Sequence, residues 1–128
     1  MITKITHLTL FVENQDAALQ FYTEKLGFKV HTDAQFGPMR WLTIHPAAQP
    51  DFEIALILAE TPKEKALVGK QGAGKPFISF ETTDCKADYE SLKASGFEFI
   101  DTPTEQPWGI SVLGKDLYGN MIYFCQPV

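Results

Sequence analysis

The sequence predicts an α+β fold made of two βαβββ modules, and three observations carry that prediction. Short runs rich in β-formers flank two stretches of helical periodicity. Each helical stretch opens on a side chain suited to an N-cap, Asn14 or Asp84, and closes on a glycine, Gly27 or Gly96. The second half repeats the first at an offset of about 70 residues, the separation of Asn14 from Asp84. With 128 residues the chain fits one domain: a first module over about 1–60, a linker over about 61–75 and a second module over about 76–128.

In chain order, residues 4–12 read as a strand with partial alternation of polarity. The Asn14 carboxamide oxygen can accept a free backbone N–H, and Ala17, Ala18, Phe21, Tyr22 and Leu26 recur at helical spacing, so 15–25 is a helix that Gly27 stops. Phe28–Asp33, Met39–His45 after the Gly37-Pro38 turn, and Phe52–Leu58 read as three strands. The Lys- and Gly-rich stretch that follows reads as linker. Its Gly72 and Gly74 lack the Lys-Ser/Thr of a phosphate loop. Residues 77–83 are the next strand. Asp84 caps a helix carrying Ala87, Tyr89, Leu92 and Ala94, and Phe97–Asp101 follows as a strand. A Pro-rich turn runs from Pro103 to Pro107. Trp108–Leu113 and Asn120–Gln126 are the last strands, joined through an Asp116–Asn120 turn.

A lone βαβββ unit covers one face of its sheet with its helix and leaves the other open, so two copies must share that face or curl it around something. Strand parity assigns the faces. Leu8, Leu10 and Val12 pack under the first helix, and His7, Thr9 and Phe11 face the concavity. In the second copy Ile78 and Phe80 lie under the helix, and Phe77, Ser79 and Glu81 face the concavity.

Composition excludes several roles. A net charge of -5 and a pI of about 5.1 argue against nucleic acid and against anionic membrane surfaces. The two cysteines, Cys85 and Cys125, form neither a disulfide framework nor a zinc motif, which points to a reducing compartment. No apolar run approaches a membrane span, and the expected location is the cytoplasm.

The opening Ile5-Thr-His7-Leu-Thr-Leu-Phe-Val12, the helix Ala17-Ala-Leu-Gln-Phe-Tyr22-Thr-Glu-Lys-Leu26-Gly27-Phe28, the segment Trp41-Leu-Thr-Ile44 and the turn Asp116-Leu-Tyr-Gly119-Asn120 resemble the vicinal oxygen chelate superfamily. That group holds glyoxalase I, extradiol dioxygenases, and fosfomycin- and bleomycin-resistance proteins. The resemblance covers essentially the whole chain. It implies mixed sheets curling into a half-open barrel, a homodimer, and, in the metal enzymes, one ligand from the first and one from the last strand of each module. Carried over, those positions fall on His7, Glu53, Phe77 and Tyr123, and the repeat offset pairs His7 with Phe77 and Glu53 with Tyr123. His7 and Glu53 are thus the catalytic candidates and the metal candidates, should Zn, Ni, Mn or Fe be bound.

Phenylalanine is no ligand, and Tyr123 would have to lose a proton with a resting pKa near 10. The expectation is therefore a pocket without the full family metal site and without a resident cofactor. In it His7 and Glu53 face each other as a His–carboxylate pair, and Thr9, Trp41, Thr43, Phe77, Ser79, Trp108 and Tyr123 line a wall for a flat organic ligand. His45 is expected to cap a strand end before Pro46. Cys125 is expected to be a packing residue, and Cys85 a surface or partly buried thiol eased by the helix dipole. The rival reading is a metal-dependent enzyme, a glyoxalase-type lyase or isomerase or an extradiol-type dioxygenase. Whether the chain turns over a substrate stays open at this level.

Overall fold

The computed structural model describes all residues, Met1–Val128. The chain falls into two compact units, Met1–Val68 and Gly69–Val128. The division lies inside the stretch read as linker.

The first unit comprises strands β1 (His7–Val12), β2 (Lys29–Phe36), β3 (Met39–His45) and β4 (Glu53–Leu58), with helices α1 (Gln15–Leu26) and α2 (Pro62–Leu67). Its sheet has the order β1-β4-β3-β2, with β1 parallel to β4 and the other neighbours antiparallel. Asn14 caps α1, its Oδ1 accepting the Ala17 N–H at 2.8 Å. Gly27 ends the helix in the left-handed region at φ 71°, where a β-carbon would be strained, and its N–H returns to the Tyr22 carbonyl. Ala18 and Tyr22 then sink fully into the face formed by Leu10, Val12, Leu42, Ile44, Ile54 and Leu56. Each fully buried Leu or Ile there contributes roughly 1.5–3 kcal/mol. Leu8, expected on that face, lies at the open start of β1 and is 52% exposed. Arg40 clamps the sheet to the helix, its Nε and Nη2 donating to both oxygens of Asp33 at 2.9 Å and its Nη1 to Asp16 at 2.7 Å.

The linker reading is corrected at 62–67. Thr61 accepts the Glu64 N–H and Pro62 opens the first turn, so a short helix forms there.

The second unit comprises β5 (Ile78–Glu81), α3 (Cys85–Ala94), β6 (Glu98–Phe99), β7 (Thr104–Gln106), β8 (Gly109–Lys115) and β9 (Met121–Pro127). Its five-stranded sheet runs β5-β9-β8-β6, with β7 also on β8. The Pro103–Pro107 turn is thus corrected to a short edge strand. Both prolines lie outside Thr104–Gln106, so no ladder donor is lost. Asp84 caps α3 as Asn14 caps α1, accepting the Ala87 N–H at 3.0 Å. Tyr89, Phe97, Phe99 and Phe124 form the aromatic core beneath α3, with ring centroids 4.7–5.9 Å apart. The Asp116–Asn120 turn is held by the Asp116 carboxylate. Asp116 Oδ1 accepts the backbone N–H groups of Tyr118 and Asn120, and Oδ2 accepts the Asn120 amide, each at 2.9 Å.

Candidate functional site

The ladders decide which side chains share a face. In the first unit His7 pairs with Glu53 and Thr9 with Ala55, and Ala55 also pairs with Thr43. The face away from α1 therefore carries His7, Thr9, Glu53, Ala55, Trp41, Thr43 and His45. In the second unit Ser79 pairs with Tyr123, and Tyr123 with Leu113. The Phe77 N–H donates to the Met121 carbonyl, which sets Phe77 beside the start of β9.

These registers correct the repeat arithmetic. His7 lies opposite Glu53, while Phe77, 70 residues further on, lies opposite Met121 rather than Tyr123. The offset shrinks along the chain, to 69 residues between Gly27 and Gly96 and to 68 between Glu53 and Met121. The counterpart of Tyr123 in the first unit is Ala55, fully buried and without donor atoms.

The second correction concerns the His–carboxylate pair. Glu53 does pair with a histidine, but with His31, Nδ1 to Oε1 at 3.1 Å. His7 instead has Nδ1 against Thr6 Oγ1 at 3.2 Å and meets Trp41 edge to face, centroids 5.2 Å apart. Residue 31 reaches this face through a β-bulge between Val30 and Thr32. His45 stands 6.3 Å from the His31 ring and donates from Nδ1 to the Pro46 carbonyl at 2.7 Å. All three histidines of the chain thus gather on one face of one sheet. A carboxylate and a carbonyl only accept, so Nδ1 is the donor in the His31–Glu53 and His45–Pro46 contacts; the His31 Nδ1 also lies 2.8 Å from Thr32 Oγ1. Thr43, fully buried among them, has an Oγ1 with no hydrogen-bond partner.

In the second unit Trp108 and Tyr123 are brought together, the indole Nε1–H donating to the Tyr123 hydroxyl at 2.8 Å. Trp108 is 54% exposed, and Phe77 and Tyr123 are half-buried. Cys125 is half-buried on the Tyr123 face. Cys85 is buried, and burial above all, with the acidic side chains Asp88 and Asp84 acting the same way, pushes its thiol pKa up. The expectation of a partly exposed thiol with a lowered pKa is therefore overturned, desolvation outweighing the helix dipole.

The donor set does not fit the superfamily's metal site. No three His, Cys, Asp or Glu side chains converge closely enough to hold an ion. In the second unit the positions the resemblance assigns to ligands hold Phe77 and a Tyr123 whose oxygen already accepts from Trp108. Two open clefts lie off these faces. One, of about 550 Å³, is lined by Glu13, Ala59, Lys65 and Val68. The other, of about 380 Å³, lies between the Gly69–Lys75 loop and Gly119–Met121. The first contains no candidate site residue, and the second is lined by Gly72, Gly74, Gly119 and Asn120, which the sequence marks as linker and turn.

The paired βαβββ units agree with comparison to known proteins. Residues 4–124 match the profile of the Glyoxalase/Bleomycin resistance protein/Dioxygenase superfamily. The chain belongs to that superfamily. Among relatives, YurT of Bacillus subtilis (strain 168) is 36% identical, the match covering 96% of this chain and 98% of YurT. Among solved structures, UcmS2 superposes with a TM-score of 0.86 at 31% identity, covering 98% of each chain. TnmS3, an antibiotic binding protein from Streptomyces sp. CB03234, gives 0.81 at 28% identity, covering 99% of this chain and 98% of its own. The glyoxalase/bleomycin-resistance fold is therefore shared over full length. No helix is long and apolar enough to cross a membrane.

Proposed function

We propose that this glyoxalase/bleomycin-resistance-type chain binds a small, largely planar organic molecule on the open faces of its sheets and releases it unchanged, without the full metal site of its enzyme relatives. The carrying observation is what stands at the strand positions where those relatives place ligands. In the second unit they are the aromatic Phe77 and Tyr123, the latter tied to an exposed indole through the Trp108–Tyr123 hydrogen bond. In the first unit His7 packs against Trp41. Rings of this kind hold flat ligands by stacking and edge contacts. TnmS3, an antibiotic binding protein, lends the reading support by analogy. The working form proposed is a cytoplasmic homodimer.

One observation favours a metal-dependent lyase or dioxygenase instead: the imidazoles of His7, His31 and His45 share a face with Glu53. One experiment separates the readings. Protein purified without a tag and dialysed exhaustively is assayed for metals, then titrated calorimetrically with a panel of planar aromatic drugs. The expected result is substoichiometric metal, saturable binding of at least one compound recovered intact, and about tenfold weaker binding in Trp41→Ala. Stoichiometric retained metal, or conversion of a bound compound, defeats the proposal.

A further inference from the structure

The Trp108–Tyr123 contact constrains the ligand more closely than the general reading, on which this inference rests. An indole Nε1–H can only donate, so the Tyr123 oxygen is the acceptor in the 2.8 Å bond. The tyrosine proton is thereby turned elsewhere, and no group in the structure accepts it. Trp108 lies opposite Val128, one step before the Gly109–Pro127 pair, and Tyr123 pairs with Leu113, so the bond joins side chains rooted five ladder positions apart. Both must lean along the sheet to meet. The turn into β8 makes this possible: Gly109 has φ 148°, and a β-carbon there would lie 2.1 Å from the Gln126 carbonyl oxygen. The result is a half-exposed indole ledge ending in an unused hydroxyl donor. Between its two ends lie Ser111, buried, and Cys125, half-buried.

We infer that the second unit selects ligands bearing an uncharged carbonyl oxygen on a planar aromatic ring, the ring lying on Trp108 and the carbonyl accepting from Tyr123. An acceptor is required because the Tyr123 hydroxyl, its oxygen already accepting from Trp108, has only its hydrogen left to offer. A carboxylate is disfavoured, since Glu81 is the ladder partner of Cys125 on the same face and would oppose it.

The test uses two probes of nearly equal shape, 2-acetylnaphthalene and 2-ethylnaphthalene, titrated into the full chain. The wild type is expected to prefer the acetyl compound by about five- to tenfold, the worth of one neutral hydrogen bond. Tyr123→Phe is expected to abolish that preference while keeping affinity for the ethyl compound, and Trp108→Phe to weaken both. Equal binding of the two probes to the wild type overturns the inference without recourse to any variant, as does a preference that survives in Tyr123→Phe. Either result leaves aromatic binding itself intact. Failure of both probes, together with the wider drug panel, removes the binding reading as well.

Discussion

At the scale of single residues, Thr43 shows how a binding face and a stable fold can pull apart. Its hydroxyl is fully buried on the open face of the first unit and has no partner. A hydroxyl removed from water without a hydrogen bond costs about 1–3 kcal/mol. Valine has nearly the same shape and no such group. Thr43→Val is therefore expected to raise the unfolding free energy by about 1 kcal/mol, read from urea denaturation. An unchanged or lowered stability would show that the hydroxyl is satisfied in solution, by water. Glu53 and His31 illustrate the opposite case, a polar contact between two side chains, with His31 Nδ1 also against Thr32.

At the scale of elements, the two caps are the repeat's strongest local signals, and they act alike. Asn14 and Asp84 each accept the N–H three residues on, at 2.8 and 3.0 Å. Asn14→Ala and Asp84→Ala are each expected to lose about 1 kcal/mol of stability by chemical denaturation, and the double variant about the sum, since the caps sit on different helices. Signals of this kind are legible because they depend only on neighbours in sequence. So were the strands Met39–His45 and Glu53–Leu58, whose apolar runs leave little choice. The helix Pro62–Leu67 and the strand Thr104–Gln106 were not, because neither is long enough to show a period. Register was also hidden: a strand slid by two residues keeps its faces, so Glu53 and Ala55 are equivalent by parity and only the ladder tells them apart. His31 was hidden most deeply. A regular hairpin closed at Gly37-Pro38 would pair Phe36 with Met39 and carry His31 to the helix side. The bulge between Val30 and Thr32 turns it to the face of Glu53. Parity alone places Trp41 beside His7, whereas the Trp108–Tyr123 contact depends on the turn at Gly109 and the His31–Glu53 contact on a bulge, backbone irregularities that no pattern announces.

At the scale of the whole molecule, Asp33 and Cys85 should each contribute to the dependence of stability on pH, at opposite ends of the scale. Arg40 donates two hydrogen bonds to Asp33 and holds its carboxyl below the usual carboxylate range. The unfolded chain, with an ordinary aspartate pKa of about 3.9, takes up that proton first. The Asp33 contribution is thus complete above about pH 4 and disappears as pH falls through the lowered folded value. It is modest, because the Asp33 side chain is 41% exposed and water screens the pair. Cys85 works in the other direction. Burial raises its thiol pKa, so the unfolded chain, with a cysteine pKa of about 8.5, loses the proton first. Its contribution is complete below about pH 8 and declines as pH climbs towards the raised folded value. Denaturation midpoints measured across pH should therefore fall at both extremes. Asp33→Asn should flatten the acid limb alone and Cys85→Ala the alkaline limb alone, even though Cys85→Ala also lowers the whole curve by opening a small cavity beneath α3. An alkaline limb equally steep in Cys85→Ala would place the titrating group elsewhere and leave the buried thiol a bystander.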